Sequence, residues 1–79
     1  MDAKAIGERL KELRIKKRKT LMEVSRETGI GQTALSNYEA GTRIPRDEAK
    51  IILAQYYRVP ISKLFFDTES TLRGQAAAQ

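Results

Sequence analysis

Residues 20–38, TLMEVSRETGIGQTALSNY, carry the signals for two short helices separated by a turn. Thr20 and Glu23 form a capping box: the hydroxyl accepts from the backbone N–H of Glu23, and the carboxylate reaches back to the N–H of Thr20. Gly29 can take a positive φ without steric cost, so it is expected to end the first helix. The stretch therefore predicts a helix, a turn and a second helix.

The second helix, which can begin at Gly31 or Gln32, has an outer face without charge. Its apolar residues gather on one side at helical spacing. The opposite side carries only amides and hydroxyls, from Gln32, Thr33, Ser36 and Asn37. Amides can bond adenine bidentately and hydroxyls can bond several bases, so this face is typical of base-edge reading in DNA. The alternative is a polar surface helix that happens to lack charge.

The composition restricts the class of protein. Seventy-nine residues make one domain, and a compact all-helical core is the economical solution for so short a chain. The sequence has no Cys and no His, which removes disulfides, thiolate sites and the commonest general base and metal ligand. We therefore expect no enzyme, no metal, no cofactor and no small-molecule ligand.

No apolar run is long enough to span a membrane, and the N-terminus lacks an apolar signal core. The default expectation is a soluble, cytoplasmic protein. The net charge of +5 is concentrated in residues 1–19, which hold eight Lys or Arg against three acids, while the remaining residues are balanced. Five of the six residues 14–19 are basic, and this run reads as a phosphate-facing patch or, alternatively, as a solvated face.

Several spaced elements agree in order with one known pattern. They are IGERL at 6–10, Leu13-Arg14, Gly29-Ile30, LSNYEAG at 35–41, RIP at 43–45, Val59-Pro60 and Leu64-Phe65. Together they resemble the phage-repressor and Cro type of helix-turn-helix domain, also called the XRE family, over about residues 5–66. The resemblance implies an all-α, five-helix, lambda-repressor-like domain in which helices 2 and 3 form the helix-turn-helix.

The resemblance also assigns roles to individual residues. It implies an ion pair between Arg14 and Glu39, at the end of the recognition helix. Relatives often carry glutamine at the position of Leu21, so one phosphate contact is missing here or is replaced by Lys19. The implied base readers are Gln32, Thr33 and Asn37, with Ser36 weaker, and the implied phosphate contacts are Arg18, Lys19, Thr20, Arg43 and Arg46.

The remaining helices follow from breaks and periodicity. Helix 1 is expected over about residues 3–18, helix 4 over 47–58 and helix 5 over 61–66, all within a domain of residues 1–66. Ile51, Ile52, Leu53, Ala54 and Tyr57 are expected to supply the buried face of helix 4, and Ile61, Leu64 and Phe65 to close the core. Phe65 and Phe66 either form an apolar patch for a partner subunit or both fold onto the core. Residues 67–79 lack periodicity and are expected to be a frayed tail.

The preferred function is a sequence-specific regulator that binds double-stranded DNA, most simply a repressor that binds an inverted repeat as a homodimer, at least on DNA. The alternative is an antitoxin-like or other interaction module whose main partner is a protein, with the paired phenylalanines as its handle. A selected DNA sequence favours the first reading, and a stoichiometric protein partner without DNA preference favours the second.

Overall fold

The computed structural model describes residues 2–66, so the expected tail at 67–79 lies outside the described residues. Within the described part, the four α-helices are α1 (Ala3–Lys16), α2 (Leu21–Thr28), α3 (Gln32–Ala40) and α4 (Asp47–Tyr57). A short π-helical turn follows them and is labelled α5 (Ser62–Phe66). The all-α fold with five helical elements is confirmed, and α2 and α3 form the helix-turn-helix.

The local signals at the ends of α2 and α3 act as predicted. The Thr20 hydroxyl accepts from the Glu23 N–H at 3.1 Å, and the Glu23 carboxylate accepts from the Thr20 N–H at 2.8 Å. Gly29 and Gly41 end the two helices with φ of 81° and 80°. These positive φ angles are the reason that the chain can turn sharply after each helix.

Two helices end slightly earlier than the sequence predicts. α1 stops at Lys16 because Arg18 adopts the left-handed region with φ of 62°. α4 stops at Tyr57 because Arg58 does the same with φ of 58°. A non-glycine residue in this region costs about 1–2 kcal/mol of conformational free energy, and glycine at either position would avoid that cost.

The core combines one face of every helix. Its buried apolar residues are Ile6, Leu10, Val24, Leu35, Tyr38, Leu53, Ala54, Leu64 and Phe65. The prediction for α4 was partly wrong, because Ile51 and Ile52 remain 49% and 36% exposed. Ile61, expected to close the core, is also 37% exposed. Lys50, by contrast, is buried, with Nζ 5.0 Å from the centroid of the Phe66 ring.

α1 and α3 cross in close contact at Gly7. A Cβ at this position would lie 2.5 Å from the carbonyl oxygens of both Tyr38 and Glu39, which is closer than real Cβ atoms approach. Gly41 completes the crossing, because a Cβ there would lie 2.9 Å from the Cα of Lys4. The absence of a side chain at the two glycines therefore allows α1 and α3 to pack closely together, on the side of α3 that faces away from solvent.

The two adjacent phenylalanines have different environments. Phe65 is fully buried, and Phe66 is 53% exposed. Arg9 holds this turn against α1, since its Nη1 donates to the carbonyl oxygens of Lys63 at 3.2 Å and Leu64 at 2.9 Å. The prediction that both phenylalanines form a partner patch is wrong for Phe65, because the α5 turn points its side chain into the core.

Candidate nucleic-acid interface

The outer face of α3 is the candidate reading surface. Leu35 and Tyr38 anchor the helix in the core, which turns the opposite face toward solvent. Gln32, Thr33 and Ser36 are all exposed on that face, as the sequence predicts. Their amide and hydroxyl groups can donate and accept hydrogen bonds without the cost of removing a charge from water.

Asn37 differs from the other three predicted readers because it is only half-exposed. The Thr42 hydroxyl lies 3.4 Å from Asn37 Oδ1 and donates to the Asn37 carbonyl oxygen at 3.2 Å. Sequence reasoning missed Thr42, which follows the glycine that ends α3. The side chain of Asn37 is thus oriented by the loop, with its amide NH₂ left to donate.

The turn between α2 and α3 is closed by side chains of α2. Ser25 donates to the carbonyl oxygen of Ile30 at 2.6 Å. Thr28 donates to the carbonyl oxygen of Val24 at 2.7 Å and accepts from the Ile30 N–H at 3.2 Å. These bonds fix the angle between the two helices, so that α2 and α3 present one surface.

The ion pair implied by the resemblance is present. Arg14 Nε lies 2.8 Å from Glu39 Oε2, and Arg14 Nη2 lies 3.0 Å from Glu39 Oε1, so the contact is bidentate. The side chains are only 15% and 10% exposed. Hydrogen bonding to the Glu39 carboxylate raises the pKa of Arg14. Arg14 Nη1 also donates to the carbonyl oxygen of Lys19 at 2.9 Å, which joins α1, the end of α3 and the basic loop.

The N-terminus of α2 can receive an anion. Thr20 is exposed, and its own N–H and hydroxyl oxygen are used by the capping box with Glu23. The N–H groups of Leu21 and Met22 have no acceptor within the helix, because the first intrahelical bond of α2 runs from the Val24 N–H to the Thr20 carbonyl oxygen. An anion such as a phosphate is favoured at this position by those donors and by the helix dipole.

Lys19 is occupied by a contact that the sequence did not indicate. Its Nζ lies 2.9 Å from Glu27 Oε2, and the Tyr56 hydroxyl donates to Glu27 Oε1 at 2.5 Å. The hydrogen bonds from Tyr56 and then Lys19 lower the pKa of Glu27, and the contact with Glu27 raises the pKa of Lys19. Lys19 was expected to replace the phosphate contact that relatives make with a glutamine at the position of Leu21. For that role its ammonium group would have to leave Glu27 or contact Glu27 and the phosphate together.

The other predicted phosphate contacts are accessible. Arg18 is exposed at the left-handed corner after α1. Arg43 and Arg46 are exposed on the loop between α3 and α4, on either side of the buried Pro45. Because the buried proline restricts the backbone of this loop, the two arginines are attached to a backbone of defined conformation.

Residues 2–66 lack two further kinds of feature. In that part of the chain, no group of three or more His, Cys, Asp or Glu could hold a metal ion. The same residues contain no helix long and apolar enough to cross a membrane.

Comparison with known proteins gives two matches. A family model described as a helix-turn-helix domain matches residues 5–64. The cryptic phage CTXphi transcriptional repressor RstR of Vibrio cholerae is 33% identical over 64 residues, which are 81% of this chain and 58% of the relative. The chain thus spans little more than half the length of that relative. No solved structure matches the chain significantly.

Proposed function

This chain belongs to the helix-turn-helix domain family, and we propose that it is a sequence-specific regulator of transcription that binds double-stranded DNA. In this proposal α3 lies in the major groove, and residues of its outer face contact base edges. The regulator acts as a repressor, and two copies bind an inverted repeat whose half-sites are about 34 Å apart, one turn of DNA. It works in the cytoplasm and is not an enzyme.

The observation that carries this proposal is the exposed, uncharged polar face of α3. A face selected only for solubility would present Lys and Glu, whereas Gln32, Thr33 and Ser36 present groups that match base edges. The close crossing at Gly7 and the Arg14–Glu39 pair support the other side of the helix. A rigid support matters because base contacts must be placed accurately.

The surroundings of α3 supply the positive charge that DNA binding needs. Arg18, Arg43 and Arg46 are exposed on the loops before α2 and after α3, and the α2 N-terminus offers free N–H groups. Such contacts position a protein on DNA without reading the sequence. The repressor role rests on the name of the relative, which is described as a phage transcriptional repressor.

The test is selection of bound duplexes from a random library at about 150 mM salt, where non-specific attraction to phosphate is weak. We expect an enriched inverted repeat. On that duplex, Gln32→Ala should cost about 1–3 kcal/mol and relax the base preference at one position. Arg43→Ala should weaken all sequences similarly and reduce the salt slope by about 1. Binding that only fades with salt, without any enriched sequence, would reject the proposal.

One observation favours a second candidate, an antitoxin-like interaction module. Phe66 is 53% exposed and lies at the end of the described chain, where a protein partner could contact it. Co-purification of a stoichiometric protein partner, together with a failed DNA selection, would favour this function over the first.

A further inference from the structure

Three side chains from separate elements meet at one carboxylate beside the candidate interface. Lys19 Nζ, from the loop before α2, lies 2.9 Å from Glu27 Oε2. The Tyr56 hydroxyl, near the end of α4, donates to the other carboxylate oxygen, Glu27 Oε1. Glu27 therefore connects a predicted phosphate contact with a helix that takes no part in base reading.

The Glu27 carboxylate has a defined position. The Tyr56 ring packs edge-on against Tyr57, with ring centroids 4.9 Å apart, and Lys17 Nζ lies 5.1 Å from the Tyr56 ring centroid. An exposed ion pair usually contributes little, because two long side chains lose conformational freedom when they pair. A carboxylate that a tyrosine hydroxyl already orients loses less freedom, so Glu27 can hold an ammonium group more firmly than an unrestrained surface carboxylate does.

The backbone of Lys19 is held as well, by Arg14. The Lys19 N–H donates to the Arg14 carbonyl oxygen at 3.1 Å, and the Lys19 carbonyl oxygen accepts from Arg14 Nη1 at 2.9 Å. Glu27 lies seven residues after Thr20, about 10 Å along α2. The pair therefore draws the Lys19 ammonium along the helix and away from its N-terminus, where a phosphate is expected.

We propose that Glu27 keeps the ammonium of Lys19 from the DNA backbone, and that Tyr56 positions Glu27 for this role. Lys19 then adds nothing to the phosphate contacts of the exposed arginines. Because phosphate contacts do not read sequence, Glu27 limits the part of the affinity that all duplexes share. This inference rests on the proposed function and specifies which of its basic residues contact phosphate.

Removal of the negative charge should release Lys19. In Glu27→Gln the amide oxygen can still accept from Tyr56, but the charge that attracts the ammonium is gone. One more neutralised phosphate steepens the fall of log K with log salt by about 0.9. The gain in affinity over the unaltered chain should therefore be about three- to fourfold larger at 50 mM than at 200 mM salt.

A double-mutant cycle with Lys19→Ala separates release of the ammonium from the simple loss of a negative charge. Fluorescence anisotropy measures binding to the selected duplex and to a duplex of unrelated sequence, over the same range of salt. Lys19→Ala alone should change the affinity less than about twofold, because Lys19 contacts no phosphate in the unaltered chain. When Lys19 is already alanine, Glu27→Gln should no longer steepen the salt dependence. Thermal unfolding confirms that each variant is folded.

Glu23→Gln is the matched control for charge. It removes one negative charge from α2, one turn nearer to the N-terminus, and glutamine can also accept from the Thr20 N–H in a capping box. Because Glu23 makes that contact and not the one with Lys19, its effect on affinity should be the same with and without Lys19.

Tyr56→Phe tests the positioning role. The variant keeps the ring and its packing and removes only the hydroxyl that orients Glu27. It should raise the affinity in the same direction as Glu27→Gln, by a smaller factor, and only when Lys19 is present. A purely structural role for the hydroxyl would lower the thermal midpoint without this dependence on Lys19.

Two results would overturn the proposal. One is a Lys19→Ala variant that loses as much affinity and salt slope as Arg43→Ala, since Lys19 would then contact phosphate in spite of Glu27. The other is an effect of Glu27→Gln, or a lack of one, that is equal with and without Lys19.

The role of Glu27 and the DNA-binding function fail in different ways. If no sequence is enriched, the proposed function is rejected, and the cycle on the duplex of unrelated sequence still decides whether Glu27 restrains Lys19. If a sequence is enriched and the cycle shows no coupling, the role of Glu27 alone is rejected. A chain that binds no duplex even at low salt would reject both.

Discussion

Removing the Glu39 carboxylate should destabilise this domain more than removing any exposed carboxylate. The pair with Arg14 is bidentate and its side chains are only 15% and 10% exposed, so Glu39→Ala leaves a guanidinium charge without its partner in a largely buried place. Breaking a fully buried pair costs about 3–5 kcal/mol. The remaining exposure, and the bond from Arg14 to the Lys19 carbonyl, place the expected loss near the lower end, about 3 kcal/mol.

That loss is large for a domain of this size, whose total stability is about 3–10 kcal/mol. The thermal midpoint should fall by about 12 °C or more, at about 4–8 °C for each kcal/mol. Thermal unfolding by circular dichroism measures the shift. The control is Glu27→Ala, which removes an ion pair whose side chains are 29% and 39% exposed and should cost clearly less. Equal small shifts for the two variants would refute the reasoning.

The double variant Arg14→Leu with Glu39→Leu sharpens the interpretation. Replacing both partners of a buried pair by apolar residues is often neutral or stabilising, since no charge remains buried. We therefore expect it to be more stable than Glu39→Ala. If the double variant were as unstable as Glu39→Ala, the loss of stability would come from altered packing and not from the unpaired charge.

Three further predictions concern the support of the interface. Gly7→Ala should cost about 1–3 kcal/mol on thermal unfolding because its Cβ meets the α3 carbonyl oxygens, whereas Gly31→Ala, with open space around its Cβ, should cost about 1 kcal/mol or less. Arg18→Gly should raise stability by about 1 kcal/mol and weaken DNA binding, and unchanged binding would remove Arg18 from the phosphate contacts. When the free energy of unfolding is measured by denaturation at several pH values, the Glu27→Gln variant should lose less stability below pH 4.5 than the unaltered chain does. The lowered pKa of Glu27 adds stability above its ordinary value of 4.5 that disappears as the folded group is protonated, and parallel curves would contradict this.

The candidate interface could be predicted largely from local signals. The capping box at Thr20 and the glycine at Gly29 determine the ends of α2 through contacts within a few residues, so they are readable in sequence and present in the structure. The uncharged outer face of α3 follows from helical periodicity alone. The contact of Lys19 could not be predicted in this way. Its Nζ pairs with the carboxylate of Glu27, which also accepts from the Tyr56 hydroxyl, and these two residues belong to α2 and α4.

The sequence by itself determined where the helices lie and which face of α3 is polar, because caps, glycine turns and periodicity act within one or two turns of helix. Only the tertiary structure decided which apolar residues of α4 are buried. Residues 51–54 are four consecutive apolar positions, and a helix cannot direct all four inward. The packing buries Leu53 and Ala54 and leaves Ile51 and Ile52 exposed. The close approach at Gly7 was equally invisible in sequence, since it depends on a helix more than thirty residues away along the chain.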